Sequence, residues 1–263
     1  MLILLSPAKD LDFTSPVLSI KPSQPRLAEH SQALMERLKH CTPGEVARLM
    51  HLSEKLALLN YTRFQSWSWP QPKQQVRQAV WAFNGDVYQG LQARDWDAEA
   101  VEFAQSHVRI LSGLYGLLRP MDAILPYRLE MGTALSTERG KDLYQFWGEE
   151  VTRLVNRDLK AAGAGPVINL ASQEYFKVIK PKLLAGRLIE PVFKDYHAPT
   201  GSYKIISFFA KKARGRMCAY IVNNRLTQAE DLKAFDADGY GYNQALSSGD
   251  KWVFTRRVEV SAG

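Results

Sequence analysis

Val108-Arg109-Ile110-Leu111-Ser112-Gly113-Leu114-Tyr115-Gly116 is the stretch on which the fold class turns. Its first four residues are apolar but for one cation, too short a run for a helix, and they read as a strand that breaks into small and hydroxylated residues. The same design recurs. Leu2-Ile3-Leu4-Leu5 runs into Ser6-Pro7-Ala8-Lys9, and Val167-Ile168-Asn169-Leu170 runs into Ser172-Gln173-Glu174-Tyr175. Residues 203–209 read as a further strand, which would hand Lys211 and Lys212 to its end. Between these strands the pattern is helical: residues 97–107, residues 210–224, and an amphipathic helix over 142–162 with Leu143, Phe146, Trp147, Leu154, Val155 and Leu159 on one face. Thr227-Gln228-Ala229-Glu230 has the form of a capping box, and residues 251–260 read as an edge strand. Strands alternating with helices predict an α/β fold, a single domain over 1–263 with a mixed, partly parallel sheet and flanking helices.

The segment 26–107 is predicted as a helical insertion. Leu27, Leu34, Met35 and Leu38 suit one helix over 26–39. Thr42-Pro43-Gly44-Glu45 offers a cap, a proline at the first helical position and a capping-box glutamate, for a helix running to Met50. Ser53 caps a following helix with Leu56, Leu59 and Phe64 on its apolar side. Trp67-Ser68-Trp69-Pro70-Gln71-Pro72 is a loop, and residues 73–83 return to helix. Two helices joined by so short a turn match a helix-hairpin-helix in outline. The two glycines of its DNA-binding form are replaced by His51 and Ser53, however, and the residues taken alone favour an ordinary antiparallel pair.

Charge is distributed unevenly. Residues 173–216 hold ten cations against Glu174, Glu190 and Asp195, an excess of seven that equals the net charge of the whole chain. Such a local excess points to a polyanion, because clustered cations displace condensed counterions from phosphates. The expected contacts are Lys177, Lys180, Lys182, Lys204, Lys211, Lys212, Arg214 and Arg216. Phe208 and Phe209 just ahead of the last four are expected in the core rather than as stacking platforms.

Composition narrows the class. A hydrophobic content of 46% with 23% charged residues is that of a soluble globular protein. No apolar run approaches the roughly 18 residues of a membrane span, and Met1-Leu2-Ile3-Leu4-Leu5 has no basic flank of a signal peptide. Cys41 and Cys218 stand far apart, and the five histidines show no ligand spacing. A cytoplasmic protein without disulfide, metal or cofactor is expected.

If the strands are parallel, their polar ends converge into one pocket where open α/β sheets place ligands. Ser6, Lys9, Ser112, Tyr115, Asn169, Ser172 and Glu174 would reach it from the strand ends. Asp86, Tyr88, Arg119, Tyr127, Arg128 and Glu130 would join them from three segments rich in charged and phenolic groups. Such a pocket would suit a phosphate-bearing, nucleotide-like ligand and could supply a general acid or base. Arg128 and Glu130 also read as a plain ion pair. There is no P-loop, dinucleotide fingerprint or nucleophile elbow, so a reaction class is not legible.

The chain resembles the YaaA peroxide-stress family over nearly its full length. The carrying motifs are Leu5-Ser6-Pro7-Ala8-Lys9, Phe83-Asn84-Gly85-Asp86-Val87-Tyr88, Leu111-Ser112-Gly113-Leu114-Tyr115-Gly116-Leu117-Leu118-Arg119-Pro120, Pro126-Tyr127-Arg128-Leu129-Glu130-Met131-Gly132, Asn169-Leu170-Ala171-Ser172 and Ala210-Lys211-Lys212-Ala213-Arg214-Gly215. The resemblance implies a cytosolic bacterial protein made under hydrogen peroxide stress that limits damage from unincorporated iron. It further implies a family-specific α/β fold with a helix-hairpin-helix and a basic, DNA-binding cleft. The helix-hairpin-helix would map onto residues 42–64, with Lys55 as a further phosphate contact. The alternative is an enzyme acting on a nucleotide, nucleobase or damaged DNA base.

Overall fold

A computed structural model gives the fold and describes residues 1–257. In chain order its elements are β1 (Leu2–Leu5), β2 (Asp10–Leu11), α1 (Ala28–Lys39), α2 (Pro43–Met50), α3 (Glu54–Ser66), β3 (Arg77–Gln78), α4 (Ala79–Ala82), β4 (Phe83–Asn84), α5 (Asp86–Leu91) and α6 (Ala98–His107). There follow β5 (Val108–Ser112), β6 (Gly116–Leu118), β7 (Ala123–Ile124), α7 (Leu143–Trp147), α8 (Glu150–Ala161), β8 (Val167–Asn169), α9 (Gln173–Phe176), β9 (Leu188–His197), β10 (Ser202–Lys204), α10 (Ser207–Asn223), β11 (Gly241–Tyr242) and β12 (Lys251–Arg256). No helix among the described residues is long and apolar enough to cross a membrane.

The central sheet runs β11-β12-β9-β8-β1-β5-β6, with β10 attached to β9. Its five inner strands are parallel, while β6, β10 and β11 pair antiparallel. Every residue of β1 and β5 is buried, as parallel strands covered on both faces require. The chain leaves β1 towards β5 on one side and leaves β8 towards β9 on the other. The crevice between the carboxyl ends of β1 and β8 is therefore a topological switch point.

Several local expectations hold. Thr42 Oγ1 accepts from Glu45 N while Glu45 returns a 2.7 Å acceptor to Thr42 N, completing the capping box. Other expectations are corrected. The helix over 142–162 breaks into α7 and α8 at Gly148, whose φ of +51° ends the first piece. Residues 73–83 hold only the short α4, because β3 and β4 on either side pair with β7 and β2. The box at 227–230 is not formed; a 3-10 turn begins at Ala229 without a side-chain cap. β12 is not an edge, since it lies between β9 and β11, and residues 258–260 of that expectation lie outside the described residues.

Two larger differences concern the basic region. Residues 203–209 are not one strand: β10 ends at Lys204, and Ser207 already opens α10. Ile205, Phe208 and Phe209 are exposed at that junction rather than in the core. β9, the longest strand among the described residues, carries Pro191, which has no amide to give to a ladder. It is tolerated because Glu190 N donates to Asp250 O, towards β12. The alternation then turns the proline nitrogen to the side where β8 has ended and β10 has not begun.

The α2 and α3 helices form a pair joined by residues 51–53, with His51 in the left-handed region. α3 buries Ala57, Asn60 and Phe64, while Leu56 and Leu59 face outward. Ser53 Oγ accepts from Leu56 N, so this amide at the α3 start already has an acceptor.

Candidate functional site

A cavity of about 410 Å³ opens at the switch point between β1 and β8. Its walls come from the residues after β1 (Ser6 to Asp10), the start of α5 (Asn84 to Val87), the start of α9 (Ser172, Glu174, Tyr175) and the inner face of α10 (Lys211, Arg214). Ser6 Oγ joins the two strand ends: it accepts from Ser172 N at 2.8 Å and donates to Ser172 Oγ at 3.3 Å. Tyr88, buried behind them, donates to Ser6 O at 3.0 Å. Desolvation pushes the Tyr88 and Tyr175 phenols well above their ordinary range, so both are neutral donors.

The charged groups are partly engaged with one another. Lys9 Nζ lies 2.7 Å from Glu130, which also takes a 3.0 Å hydrogen bond from Arg128. The ion-pair reading of Arg128 and Glu130 is therefore realised, as part of a chain that reaches the cavity through Lys9. Lys211 stands 3.7 Å from Asp86. Glu174 accepts from Gly132 N at 3.0 Å, and Asp10 from Asn84 at 2.7 Å. Arg214 differs: among the described residues it has neither an ion pair nor a hydrogen bond, and burial pulls its guanidinium below its ordinary range.

Five of the anticipated pocket residues meet here: Ser6, Lys9, Asp86, Ser172 and Glu174. The structure adds Asp10, Asn84 and Tyr175, and it moves Lys211 and Arg214 into the cavity wall. The remaining candidates serve the fold. Ser112 Oγ shares a 2.6 Å hydrogen bond with the Tyr127 hydroxyl and caps Tyr115 N. Tyr115 OH accepts from Trp67, Gln71 and Leu125, and desolvation raises it to about 12. Arg119 is held by buried Asp122 at 2.8 Å. Asn169 closes the turn after β8 by accepting from Ala171 N. In a single sequence nothing separates such internally satisfied polar groups from available ones.

The basic residues divide in the same way. Lys204 and Lys182 are exposed, and so is Lys55 on α3. Lys177 lies over the Tyr144 ring at 4.7 Å, and Lys180 is partly covered. Arg216 is tied to Gln92 and, at 3.6 Å, to Asp238. Cys218, on the cavity-facing side of α10, is fully buried, and burial pushes its thiol far up. It is not poised as a peroxide-reactive thiolate. Among the described residues no group of three or more His, Cys, Asp or Glu side chains is arranged to hold a metal ion.

A family model described as "Peroxide stress protein YaaA" matches residues 1–246. A UPF0246 protein of Saccharophagus degradans is 56% identical over 257 residues, covering 98% of this chain and 100% of its own length. One from Teredinibacter turnerae is 54% identical over the same shares, and one from Cupriavidus metallidurans is 53% identical over 262 residues, again 98% and 100%. The match spans β1 through the turn after β11, and with it the whole wall of the switch-point cavity. This chain belongs to the peroxide stress protein YaaA family.

Proposed function

We propose that this protein serves the peroxide response by binding DNA in the cytoplasm, through backbone and shape, with the cavity mouth and the first turns of α10 as the contact surface. The observation that carries this reading is Phe208. It is 53% exposed, yet it is held in place: its ring lies edge-on to Phe209 at 5.6 Å, Phe209 is covered by the Arg256 guanidinium at 4.7 Å, and Asp195 fixes Arg256 at 2.7 Å. An outward aromatic beside Lys204, Lys211 and Lys212 suits base stacking combined with phosphate contacts. Lys177 extends the same basic rim along the carboxyl edge of the sheet. The helix-hairpin-helix reading enters only as a second contact through Lys55, because Ser53 already occupies an amide at the turn. Iron-dependent damage would be limited by covering the strand, since radicals react close to where they form.

The test is a titration of labelled single-stranded, duplex and bulged DNA at several salt concentrations. With about five phosphates neutralised, log affinity for duplex should fall against log salt with a slope near −4.5, and Lys204→Ala/Lys211→Ala/Lys212→Ala should reduce it to about −2. Phe208→Ala should weaken single-strand binding by about 1–3 kcal/mol while leaving duplex binding in place. A slope near zero would end this reading.

A second reading, an enzyme acting on a nucleotide or damaged base, is favoured by the carboxylates Asp86 and Glu174 standing beside cations in the cavity. Incubation with oligonucleotides bearing oxidised bases would then release a base or cut the strand, and Glu174→Gln would abolish it. Unchanged substrates after long incubation would remove that reading.

A further inference from the structure

We propose that the switch-point cavity binds a nucleoside monophosphate unit, with its phosphate on Arg214. The inference rests on the nucleic-acid reading above and names what that reading leaves open, the ligand of the cavity. Arginines elsewhere in the interior have acceptors. Arg26 and Arg109 share Asp158, Arg256 has Asp195, and Arg119 has Asp122. Arg214 lines the cavity with none among the described residues. Arg214 is only partly covered, yet burial already disfavours its charge, so a partner anion would offset that cost, and its planar fork matches phosphate oxygens.

Two lysines can join it. Lys9 and Lys211 are 61% and 50% exposed in their pairs with Glu130 and Asp86, and exposed pairs of this kind hold their partners weakly. Either ammonium can therefore turn to an incoming anion. Ser6 and Ser172 hydroxyls, only 3.3 Å apart and weakly bonded to each other, lie on the floor as further donors. Part of the lining is acidic and polar: Asp10, Asn84 and Glu174. A bare anion would be repelled there, whereas the amino and hydroxyl groups of a nucleoside would donate to it. A wall divided between cations and carboxylates, in a cavity of about 410 Å³, suits a ligand with an anionic end and a donor-rich end.

The test compares deoxynucleoside monophosphates, the same nucleosides without phosphate, inorganic phosphate, and oligonucleotides with or without a terminal phosphate. Binding is read by calorimetry and by the ligand-induced rise in melting temperature. Monophosphates should bind the wild type at about millimolar or tighter, and nucleosides about tenfold to a hundredfold more weakly. Arg214→Met should lose this preference for phosphate, and without ligand it should melt at or above the wild-type temperature, because an unpaired cation has been removed. Arg214→Lys should recover part of the binding. Preference for the free nucleotide or for the phosphorylated strand end identifies which source fills the cavity. Failure of every monophosphate to bind, or equal binding by wild type and Arg214→Met, overturns the proposal. The two readings separate cleanly: a wild type that binds strands with a salt slope but no monophosphate would sink this proposal alone, and Phe208→Ala should keep the mononucleotide.

Discussion

Gly215→Ala is expected to lower the melting temperature by about 6–12 °C, the equivalent of about 3 kcal/mol in a chain of this size. Local propensity argues the other way, since alanine in a helix interior gains about 1 kcal/mol over glycine. The crossing of α10 over α5 decides the sign. A Cβ at Gly215 would stand 1.9 Å from Val87 O and 2.8 Å from Leu91 N, and one at Gly90 would stand 2.2 Å from Lys212 O. These obstacles are backbone atoms within helices, so no side chain can swing aside; the helices must separate. Gly44→Ala supplies the contrast. It sits in α2 with only the flexible end of Arg48 nearby, at 3.7 Å, and it should stabilise by up to about 1 kcal/mol. Paired denaturation curves check both, and equal stabilisation by the two substitutions would refute the argument.

The same crossing is what places the functional groups. Lys211 and Arg214 lie one turn apart on α10, on the side that faces Asp86 and Val87 at the head of α5. Separating the helices by even one ångström withdraws both cations from the cavity. Gly215→Ala should therefore lose mononucleotide binding even at temperatures where it is folded. That couples a packing requirement to the site, and it gives the Ala210-Lys211-Lys212-Ala213-Arg214-Gly215 stretch a physical unity: small residues that let α10 approach, and cations that the approach delivers.

What the sequence made legible follows from burial. β1, β5 and β8 are apolar because both faces are covered, so apolarity identified them, and among the polar residues at their ends Ser6, Lys9, Ser172 and Glu174 line the cavity at the switch point. Where apolar residues are not buried the same logic fails. Ile205-Ile206-Ser207-Phe208-Phe209 has the composition of a strand, but it straddles the exit from β10 and an exposed helix start. β9 was hidden by Pro191 and by charges at Glu190, Lys194 and Asp195, and the partners of Glu190 and Asp195 come from distant segments. Ser112, Tyr115 and Arg119 look like site residues because they are polar and close to a strand end, yet each is consumed by an internal hydrogen bond. Arg214 shows the converse. In the sequence it is one cation in a run, and only the packing of α10 distinguishes it from Lys212 and Arg216.

Asp158→Asn is expected to destabilise by about 3–5 kcal/mol, or about 6–20 °C. Asp158 on α8 binds Arg26 with both oxygens, at 2.6 and 2.8 Å, and Arg109 of β5 at 2.5 Å. Arg109 is nearly inaccessible, so losing the carboxylate leaves its charge stranded, with only the carbonyls of residues 105, 106 and 108. The cost lies in that stranding rather than in any large net gain from the network. Arg26→Met, which removes the more exposed cation and leaves Asp158 paired, should cost much less. The pH dependence has a fixed sign. Burial alone would raise the Asp158 carboxyl, but hydrogen bonds from Arg26 and the charge of Arg109 outweigh it and hold the group below its usual range. The unfolded chain therefore binds the proton more readily. The stabilisation is complete above the unfolded value of about 3.9 and is lost as pH falls through the lower folded one. The gap between wild type and Asp158→Asn in urea midpoint should thus be full at pH 7 and shrink below about pH 4. A gap that stays constant across that range would show that the charge on Asp158 is not what holds α8 to β5.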